Sequence, residues 1–234
     1  MRGLFVTGTD THVGKTWVGQ HLISALCTNG INVIPRKPIE SGWDKNNEES
    51  SDAWLLASAA NQLDQLDSVC PNRFSHPISP VRAAALEGVT LSISELKDQC
   101  TPPHFYMTKS DNVKDNFLYV EGAGGFYSPL CADGLNADLA SALELPILLV
   151  AEDRLGCINQ VLLTLEAIER RDLVLSAIVL NDVSKNEDNP KFNSHMNNHK
   201  DLSAMVSCPI VSIQHNQNNS AFDELAFLVI NRVL

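Results

Sequence analysis

The sequence has no dense run of basic residues, and its overall charge is strongly acidic. Its 17 lysines and arginines stand against 28 aspartates and glutamates, which gives a formal net charge of −11 at pH 7. A nucleic-acid-binding surface needs clustered positive charge, so we expect no nucleic-acid partner. An acidic protein can still bind an anionic ligand, because a few placed lysines and a metal ion dominate the field inside a site.

The chain also lacks an apolar run long enough to cross a bilayer, which takes about 20 residues. A strand-like segment begins within three residues of the amino terminus and leaves no room for a signal peptide. These two absences predict a cytoplasmic protein that has no membrane partner.

No Cys-x-x-Cys pair occurs among the six cysteines, and their spacing fits no zinc pattern. Several of them lie in apolar runs, where a free thiol behaves as a small hydrophobic residue. The sequence therefore favours reduced thiols, as is usual in the cytosol.

Length and composition predict one α/β domain over residues 1–234. A chain of 234 residues, 44% of them hydrophobic, is long enough to bury a sizeable core. Short apolar runs without strict alternation are typical of parallel strands covered on both faces. Since helical patterns lie between them, we predict a doubly wound, mostly parallel sheet of the P-loop NTPase type. The predicted strands are 4–7, 33–36, 117–120, 147–151, 175–180 and 210–213.

The segment Gly-Thr-Asp-Thr-His-Val-Gly-Lys-Thr at residues 8–16 follows the first predicted strand directly. Its glycines let backbone N–H groups point inward, Lys15 adds a positive charge, and Thr16 offers a hydroxyl to Mg²⁺. The helix predicted over 16–29 adds an amino end that favours anions. A plain strand-to-helix turn has no use for such a lysine, so this P-loop predicts a nucleoside triphosphate site. Five residues separate the glycines instead of the common four. This longer spacing is typical of only a subset of nucleotide-binding proteins.

A second lysine follows the second predicted strand. Lys37 begins the segment Lys-Pro-Ile-Glu-Ser-Gly, at the edge of the sheet where ligands bind in doubly wound folds. We predict that Lys37 acts on a transferring phosphoryl group and that Ser41 contacts substrate. The alternative is a surface lysine beside a loop.

Two acidic residues are candidate Mg²⁺ ligands. Asp52 opens a helix predicted over 53–60, where it is equally consistent with a simple helix cap. Glu121 ends the third predicted strand and precedes Gly-Ala-Gly-Gly, whose glycines let the backbone approach a phosphate or a ring closely. A tight turn needs one glycine, so three glycines beside a carboxylate favour a binding site.

Two further segments lie at predicted strand ends. Asn181 and Asp182 close the fifth strand, where an amide can both donate to and accept from a purine edge. A guanine-reading Asn-Lys-x-Asp is absent, so adenine is favoured; a simple Asn-Asp turn is the alternative. Residues 155–159 lead into a helix beginning near Ile158, whose free N–H groups can bind a carboxylate. Asn159 can assist there or merely cap the helix.

Taken together, these segments resemble the dethiobiotin synthetase family. Residues 8–16, 37–42, 51–53, 121–125, 155–159 and 181–183 occur in the order and spacing of that family. The long P-loop combined with Glu-Gly-Ala-Gly-Gly is quite specific to it. The resemblance implies an ATP-dependent cyclo-ligase of biotin biosynthesis, which closes the ureido ring of dethiobiotin from 7,8-diaminononanoate and CO₂. It also implies a homodimer with substrate bound at the subunit interface.

The resemblance further implies roles for individual residues. Lys15 and Lys37 would be catalytic, and Mg²⁺ would be held by Thr16, Asp52 and Glu121. Asn181 would meet adenine, within a nucleotide-binding set of His12, Val13, Gly14, Lys15, Thr16, Trp17, Asp52, Glu121, Gly122, Ala123, Gly124, Asn181 and Asp182. Thr11 and Ser41 would contact diaminononanoate or phosphate. The carboxylate of diaminononanoate would bind the helix start of the partner subunit, at Gly156, Cys157, Ile158 and Asn159.

Three features depart from the family's pattern. His12 stands in the P-loop where an acidic or small residue is expected; its ring can meet phosphate or substrate or point to solvent, and solvent is preferred. Glu40 places a negative charge beside Ser41, where a small apolar residue is expected. The family's carboxyl-terminal base-contacting stretch is not obvious, and residues 213–216 stand about where it belongs.

Two other protein classes share parts of this pattern. A partition- or positioning-type ATPase switch would carry a signature lysine five residues before Lys15, and that position is Asp10. Many amidating ligases carry a fused glutaminase domain, for which the chain has no room. Both features favour the cyclo-ligase.

Overall fold

A computed structural model describes residues 2–101, 116–183, 196–214 and 220–233. Its strands are β1 (Gly3–Gly8), β2 (Asn32–Arg36), β3 (Ile39–Ser41), β4 (Asn72–Phe74), β5 (Asn116–Gly125), β6 (Pro129–Cys131), β7 (Gly134–Leu135), β8 (Ile147–Glu152), β9 (Leu175–Asp182) and β10 (Ile210–Gln214). The central sheet has the order β10-β9-β8-β1-β5-β2, and all its strand pairs are parallel. Two small pairs, β3 with β4 and β6 with β7, stand apart from it.

Helices connect the strands in the alternating order expected of a doubly wound fold. They are α1 (Lys15–Thr28), α2 (Asp52–Ala59), α3 (Leu66–Val69), α4 (Pro80–Leu86), α5 (Ile93–Cys100), α6 (Asn136–Leu143), α7 (Cys157–Glu169), α8 (Asn198–Ser203) and α9 (Ser220–Val233). Short 3-10 helices span Glu48–Ser50 and Leu63–Gln65. Among the described residues, no helix is both long and apolar enough to span a membrane.

The core lies on both faces of the sheet because side chains alternate across each strand. In β1, Leu4 and Val6 join the cluster formed by α1 and α9, whereas Phe5 joins the cluster that includes α6. All three side chains are fully buried. Each such side chain stabilises the fold by about 1.5–3 kcal/mol relative to an exposed position, so β1 is held firmly between two layers of helices.

Strand β1 also lies where the order of the sheet reverses. Its neighbours are β5 on one side and β8 on the other, so the chain crosses β1 on its way from β5 to β8. Crevices at such a switch point, beyond the carboxyl ends of the strands, are where doubly wound folds bind ligands. The P-loop leaves β1 at this point and leads directly into α1.

The predicted fold class is confirmed, and all six predicted strands lie within the strands of the central sheet. The predicted helices over 16–29 and 53–60 begin and end one residue earlier in the structure, at Lys15–Thr28 and Asp52–Ala59. Val18, Leu22, Ala25 and Leu26 have the spacing of one helix face; in α1 the first, second and fourth are buried, and Ala25 is partly buried against the same core.

Candidate active site

The P-loop is a compact segment between β1 and α1. Gly14 precedes α1 with a φ of 84°, a left-handed conformation that glycine adopts without strain. A Cβ at Gly14 would lie 2.1 Å from Asn181 Nδ2, so the position also needs the absence of a side chain. Asn181 Nδ2 donates to the Val13 carbonyl at 3.0 Å and thereby ties the loop to the end of β9.

The side chain of Lys15 lies against the backbone of this loop. It is mostly buried, and Nζ donates to the Asp10 carbonyl at 3.1 Å. Burial, and then the nearby charge of Lys37, lowers the pKa of Lys15 from the ordinary 10.5 to about 8. An anion in the cleft would oppose both effects.

Lys37 follows β2 and points into the centre of the site. Its Nζ lies 2.7 Å from Glu121 Oε1 and 2.9 Å from Asp52 Oδ2, and it donates to the Gly122 carbonyl at 3.2 Å. The residue is only 2% exposed. Burial by itself would lower the pKa of Lys37, but Asp52 and Glu121 outweigh it and raise the pKa above its ordinary value. Lys37 is therefore a permanently charged group, not a base.

Glu121 lies at the carboxyl-terminal part of β5 and is fully buried. Besides Lys37, its carboxylate accepts hydrogen bonds from Thr16 Oγ1 at 2.7 Å and from the Tyr119 hydroxyl at 3.2 Å. Tyr119 is two residues away on the same strand and is also fully buried. These contacts bring the P-loop threonine, Lys37 and a strand carboxylate to one point.

Asp52 reaches the same point from the first turn of α2. Lys37 holds the pKa of the Asp52 carboxyl below its usual range, although burial alone would raise it. The helix start is capped by Ser51, whose hydroxyl accepts from the Trp54 N–H at 3.1 Å. Two alternatives were open for Asp52, a helix cap and a metal ligand. The residue lies at a helix start, and its carboxylate also faces the site residues.

Glu40, which stands where a small apolar residue was expected, is buried against the start of α2. Its two oxygens accept from the backbone N–H groups of Asp52 at 2.8 Å and Ala53 at 3.0 Å. Burial, and then the neighbouring Asp52 charge, raises the pKa of Glu40 against the opposing effect of Lys37 and the two N–H groups.

The glycine-rich segment after Glu121 is shaped by Asn136, the first residue of α6. Asn136 Oδ1 accepts from the Ala123 N–H at 2.9 Å, and Nδ2 lies 2.6 Å from the Ala123 carbonyl and 3.1 Å from that of Gly125. A Cβ at Gly122 would lie 2.6 Å from Asn136 Oδ1. The buried amide therefore needs glycine beside it and fixes the backbone that faces the P-loop.

A cleft of about 460 Å³ joins most of the predicted residues. Its lining includes Thr11, His12, Gly14, Lys15, Thr16, Trp17, Lys37, Ser41, Asp52, Ala123 and Gly124. A second cleft of about 380 Å³ shares Thr11, His12 and Ser41 with the first and extends to Pro77–Pro80. A larger groove of about 650 Å³ lies between α1 and α2, but its lining contains no lysine or carboxylate.

Two residues of the P-loop region occupy the rim of the cleft. His12 is exposed, has a φ of 64° and lines both clefts. Trp17 is half-buried and packs edge-on against Phe222 of α9, with ring centroids 5.3 Å apart.

Other predicted residues lie away from the cleft. Asn181 is fully buried behind the P-loop, and its Oδ1 has no partner among the described residues. Asp182 ends β9 and is half-buried. Gly156, Cys157, Ile158 and Asn159 form the start of α7 and are absent from the described lining of the cleft. Of residues 213–216, the last two lie outside the described residues.

Three residues that contribute to the geometry were not predicted as site residues: Glu40, Tyr119 and Asn136. Tyr119 lies in a predicted strand and has the signal of a core residue. Asn136 is a polar residue between two apolar stretches, a weak signal for a buried, fully bonded amide.

The fold and the P-loop geometry define a nucleoside triphosphate-binding protein of the P-loop class. The family model described as "AAA domain" matches residues 2–218. The MinC:MinD cell division protein complex of Aquifex aeolicus contains a chain of similar fold, with a TM-score of 0.53 and 13% identity, over 97% of this chain and 86% of that one. That likeness is one of fold alone.

Sequence relatives identify the family. The ATP-dependent dethiobiotin synthetase BioD of Anaeromyxobacter dehalogenans (strain 2CP-1 / ATCC BAA-258) is 41% identical over 188 residues, which is 80% of each chain. The protein with the same name from Vesicomyosocius okutanii subsp. Calyptogena okutanii (strain HA) is 35% identical over 94% of this chain and 93% of that one. The chain belongs to the dethiobiotin synthetase family.

Proposed function

We propose that this protein is an ATP-dependent cyclo-ligase that converts 7,8-diaminononanoate, CO₂ and ATP to dethiobiotin, ADP and phosphate. The observation that carries this proposal is the convergence of Thr16, Lys37, Asp52 and Glu121 beside the P-loop, in a chain that belongs to the dethiobiotin synthetase family. We also propose that residues 1–234 form a single ATP-binding domain.

The site's residues fit the chemistry of this reaction. One amine of the substrate captures CO₂ and loses a proton to give a carbamate. A carbamate oxygen attacks the γ-phosphorus of ATP and displaces ADP, which gives a carbamic-phosphoric anhydride. The second amine then attacks the anhydride carbonyl, loses its proton and expels phosphate, which closes the ureido ring. Such a path depends on positioning and on stabilisation of charge on the phosphoryl group, which two buried lysines can supply.

We propose that Thr16, Asp52 and Glu121 hold Mg²⁺ at the bound nucleotide. Oxygens of Asp52 and Glu121 lie against the Lys37 ammonium, and Thr16 Oγ1 donates to the same Glu121 oxygen, so the same point already accommodates a cation. Mg²⁺ prefers oxygen ligands and usually retains several waters or phosphate oxygens. Within the described part of the chain, no three His, Cys, Asp or Glu side chains form a metal site of their own, which fits a metal that arrives with the triphosphate.

The remaining roles follow the shape of the two clefts. The P-loop and the segment Gly122–Gly124 would hold the phosphates, with Lys15 and Lys37 on the transferring group. Thr11 and Ser41 line both clefts, so diaminononanoate bound along the second cleft would contact both residues. Asn181 Oδ1, buried without a described partner, would accept from adenine.

We also propose that the protein acts as a homodimer and that the start of α7 from one subunit binds the substrate carboxylate of the other. Residues 156–159 are absent from the described lining of their own subunit's cleft, and no side chain caps the start of α7, where the Cys157 N–H donates to the Arg154 carbonyl. The N–H groups that follow it are the ones suited to a carboxylate. Leu163 and Tyr127, which line one further cleft, are 59% and 49% exposed. Exposed apolar residues close together favour a protein–protein contact.

We propose a cytoplasmic location. No disulfide joins the six cysteines, all of which lie within the described residues, and this fits a reducing compartment.

The direct test is to incubate the purified protein with diaminononanoate, bicarbonate and MgATP and to detect dethiobiotin by mass. We expect dethiobiotin and ADP in equal amounts, and no ADP release beyond background without diaminononanoate. A partition-type switch would instead hydrolyse ATP in response to a protein partner or DNA. ADP formed without dethiobiotin would overturn the proposal.

A further inference from the structure

The buried carboxylate of Glu40 joins two elements that carry candidate site residues. Glu40 lies in the middle of β3, next to Ser41, and is 7% exposed. One oxygen accepts from the Asp52 N–H at 2.8 Å and the other from the Ala53 N–H at 3.0 Å. The side chain therefore crosses from β3 to the first turn of α2.

The groups that Glu40 binds have no partner inside the helix. The first N–H groups of an α-helix cannot reach a preceding carbonyl of the same helix. Ser51 binds the N–H of Trp54, which leaves those of Asp52 and Ala53 to Glu40. A negative charge at a helix amino end is also favoured by the helix dipole, so this carboxylate has both a geometric and an electrostatic reason to stay in place.

Asp52 is the residue most constrained by this arrangement. Its own carboxylate is not available as a cap, because Oδ2 lies 2.9 Å from Lys37 Nζ. Glu40 fixes the backbone of Asp52, and that backbone in turn sets the direction in which the Asp52 carboxylate points. Loss of the two hydrogen bonds would release the helix start and leave the Asp52 side chain itself intact, although Glu40 also lines the first cleft.

We infer that Glu40 is a positioning residue that aligns the Asp52 carboxylate for metal binding by anchoring the start of α2. The inference rests on the proposed function, in which Asp52 is a ligand of Mg²⁺. Residues that orient a metal ligand without touching the metal commonly change metal affinity by about 10–100-fold when they are mutated.

The test measures Mn²⁺ binding to the full chain in the presence of ADP, from the electron paramagnetic resonance signal of free Mn²⁺. For Glu40→Ala, we expect the Kd for Mn²⁺ to rise about tenfold. Glu40→Gln keeps the length of the side chain and one carbonyl oxygen as an acceptor, so we expect a smaller rise. This second variant keeps the test valid even if Glu40→Ala folds poorly.

A double variant separates positioning from a general loss of stability. If Glu40 acts through Asp52, then Glu40→Ala in an Asp52→Ala background should leave the Kd for Mn²⁺ unchanged, since coupled residues are not additive. Glu95→Ala is the matched control. The Glu95 carboxylate completes the capping box of α5, a helix that lines neither cleft, so its loss should lower the melting temperature but leave Mn²⁺ binding unaltered.

The possible failures are distinguishable. Wild-type binding of Mn²⁺ that Asp52→Ala weakens, but that neither Glu40 variant changes, overturns the role of Glu40 and leaves the metal site in place. Equal Mn²⁺ affinity in the wild type and Asp52→Ala overturns the metal site itself, and the role of Glu40 with it. A rise in Kd for Glu40→Ala that persists without Asp52 also refutes positioning through that carboxylate.

Discussion

Lys37 Nζ lies 2.7 Å from Glu121 Oε1, and both side chains are withdrawn from solvent. Asp52 adds a second carboxylate at 2.9 Å from the same ammonium. In the structure, one lysine therefore pairs with both carboxylates that we propose as metal ligands. If Mg²⁺ binds there as proposed, it would take the place of the ammonium beside these carboxylates, and the Lys37 charge would become available to the phosphoryl group.

We predict that Lys37→Ala lowers kcat by about 10²–10³-fold, the usual effect of removing one well-placed electrostatic donor from an active site. The measurement is dethiobiotin formation under saturating substrates, with circular dichroism to verify the fold. The variant should also melt at a lower temperature, because Glu121 would be left buried beside a reduced positive charge.

Lys45→Ala serves as the control for Lys37→Ala. Lys45 is an exposed lysine in the loop between β3 and α2, so its removal changes the net charge by the same amount without touching the site. We expect wild-type turnover from it. Near-wild-type turnover from Lys37→Ala would remove Lys37 from the mechanism.

A second prediction concerns the backbone of the P-loop. Gly14→Ala should abolish ATP binding, because the new Cβ would lie 2.1 Å from Asn181 Nδ2 in addition to the strain of a φ of 84°. Gly30→Ala provides a matched comparison, since Gly30 has the same φ and nothing within 4 Å of the added Cβ. It should cost about 1–2 kcal/mol of stability and bind ATP normally in calorimetry. Similar ATP affinities in the two variants would contradict the role assigned to the Asn181 contact.

The sequence was sufficient to predict the central sheet and the residues around the P-loop. Each strand of that sheet contains a short run rich in apolar residues. The parallel arrangement then determines the edge of the sheet at which the carboxyl end of each strand lies. The small strands β3, β4, β6 and β7 were not predicted, because two or three residues are too few to show a period.

Contacts between distant residues could not be predicted in this way. From the sequence, a small apolar residue was expected at the position of Glu40. The partners of Glu40 are the N–H groups of Asp52 and Ala53, which follow a loop whose path the sequence does not reveal. Asn181 was predicted from its position at a strand end, and the structure adds a bond to Val13, 168 residues away. Asn136 had only a weak sequence signal, since its partners are backbone groups and not side chains.

The lowered pKa of Lys15 predicts a pH dependence of stability without nucleotide. Its pKa is about 8 in the folded protein and near 10.5 when unfolded, so between these values the unfolded chain binds more protons and the free energy of unfolding rises with pH. Below about pH 8 both states are protonated and the contribution is constant. The full rise is on the order of 3 kcal/mol, at about 1.4 kcal/mol per pKa unit.

The measurement is the free energy of unfolding in urea between pH 7 and pH 10 for the wild type and for Lys15→Gln. Subtracting the two values at each pH cancels the contributions of other titrating groups. We expect the free energy of unfolding of the wild type to rise relative to that of Lys15→Gln as the pH increases. Saturating ADP should suppress the dependence, because phosphate oxygens restore the Lys15 charge. A difference that is flat with pH would show that burial does not lower this pKa.

The last prediction tests the proposed dimer. Leu163→Asp places a charge on the exposed apolar side of α7, and a charge buried at an interface without a partner is costly. We expect the variant to elute as a monomer and to lose most of its activity, because each cleft would lose the α7 start of the partner subunit. Phe227→Asp is the control: Phe227 is 67% exposed on α9, and its substitution should change neither the oligomeric state nor turnover. A Leu163→Asp monomer with a normal KM for diaminononanoate would show that each subunit binds its substrate alone, and residues 156–159 would then have no part in the site.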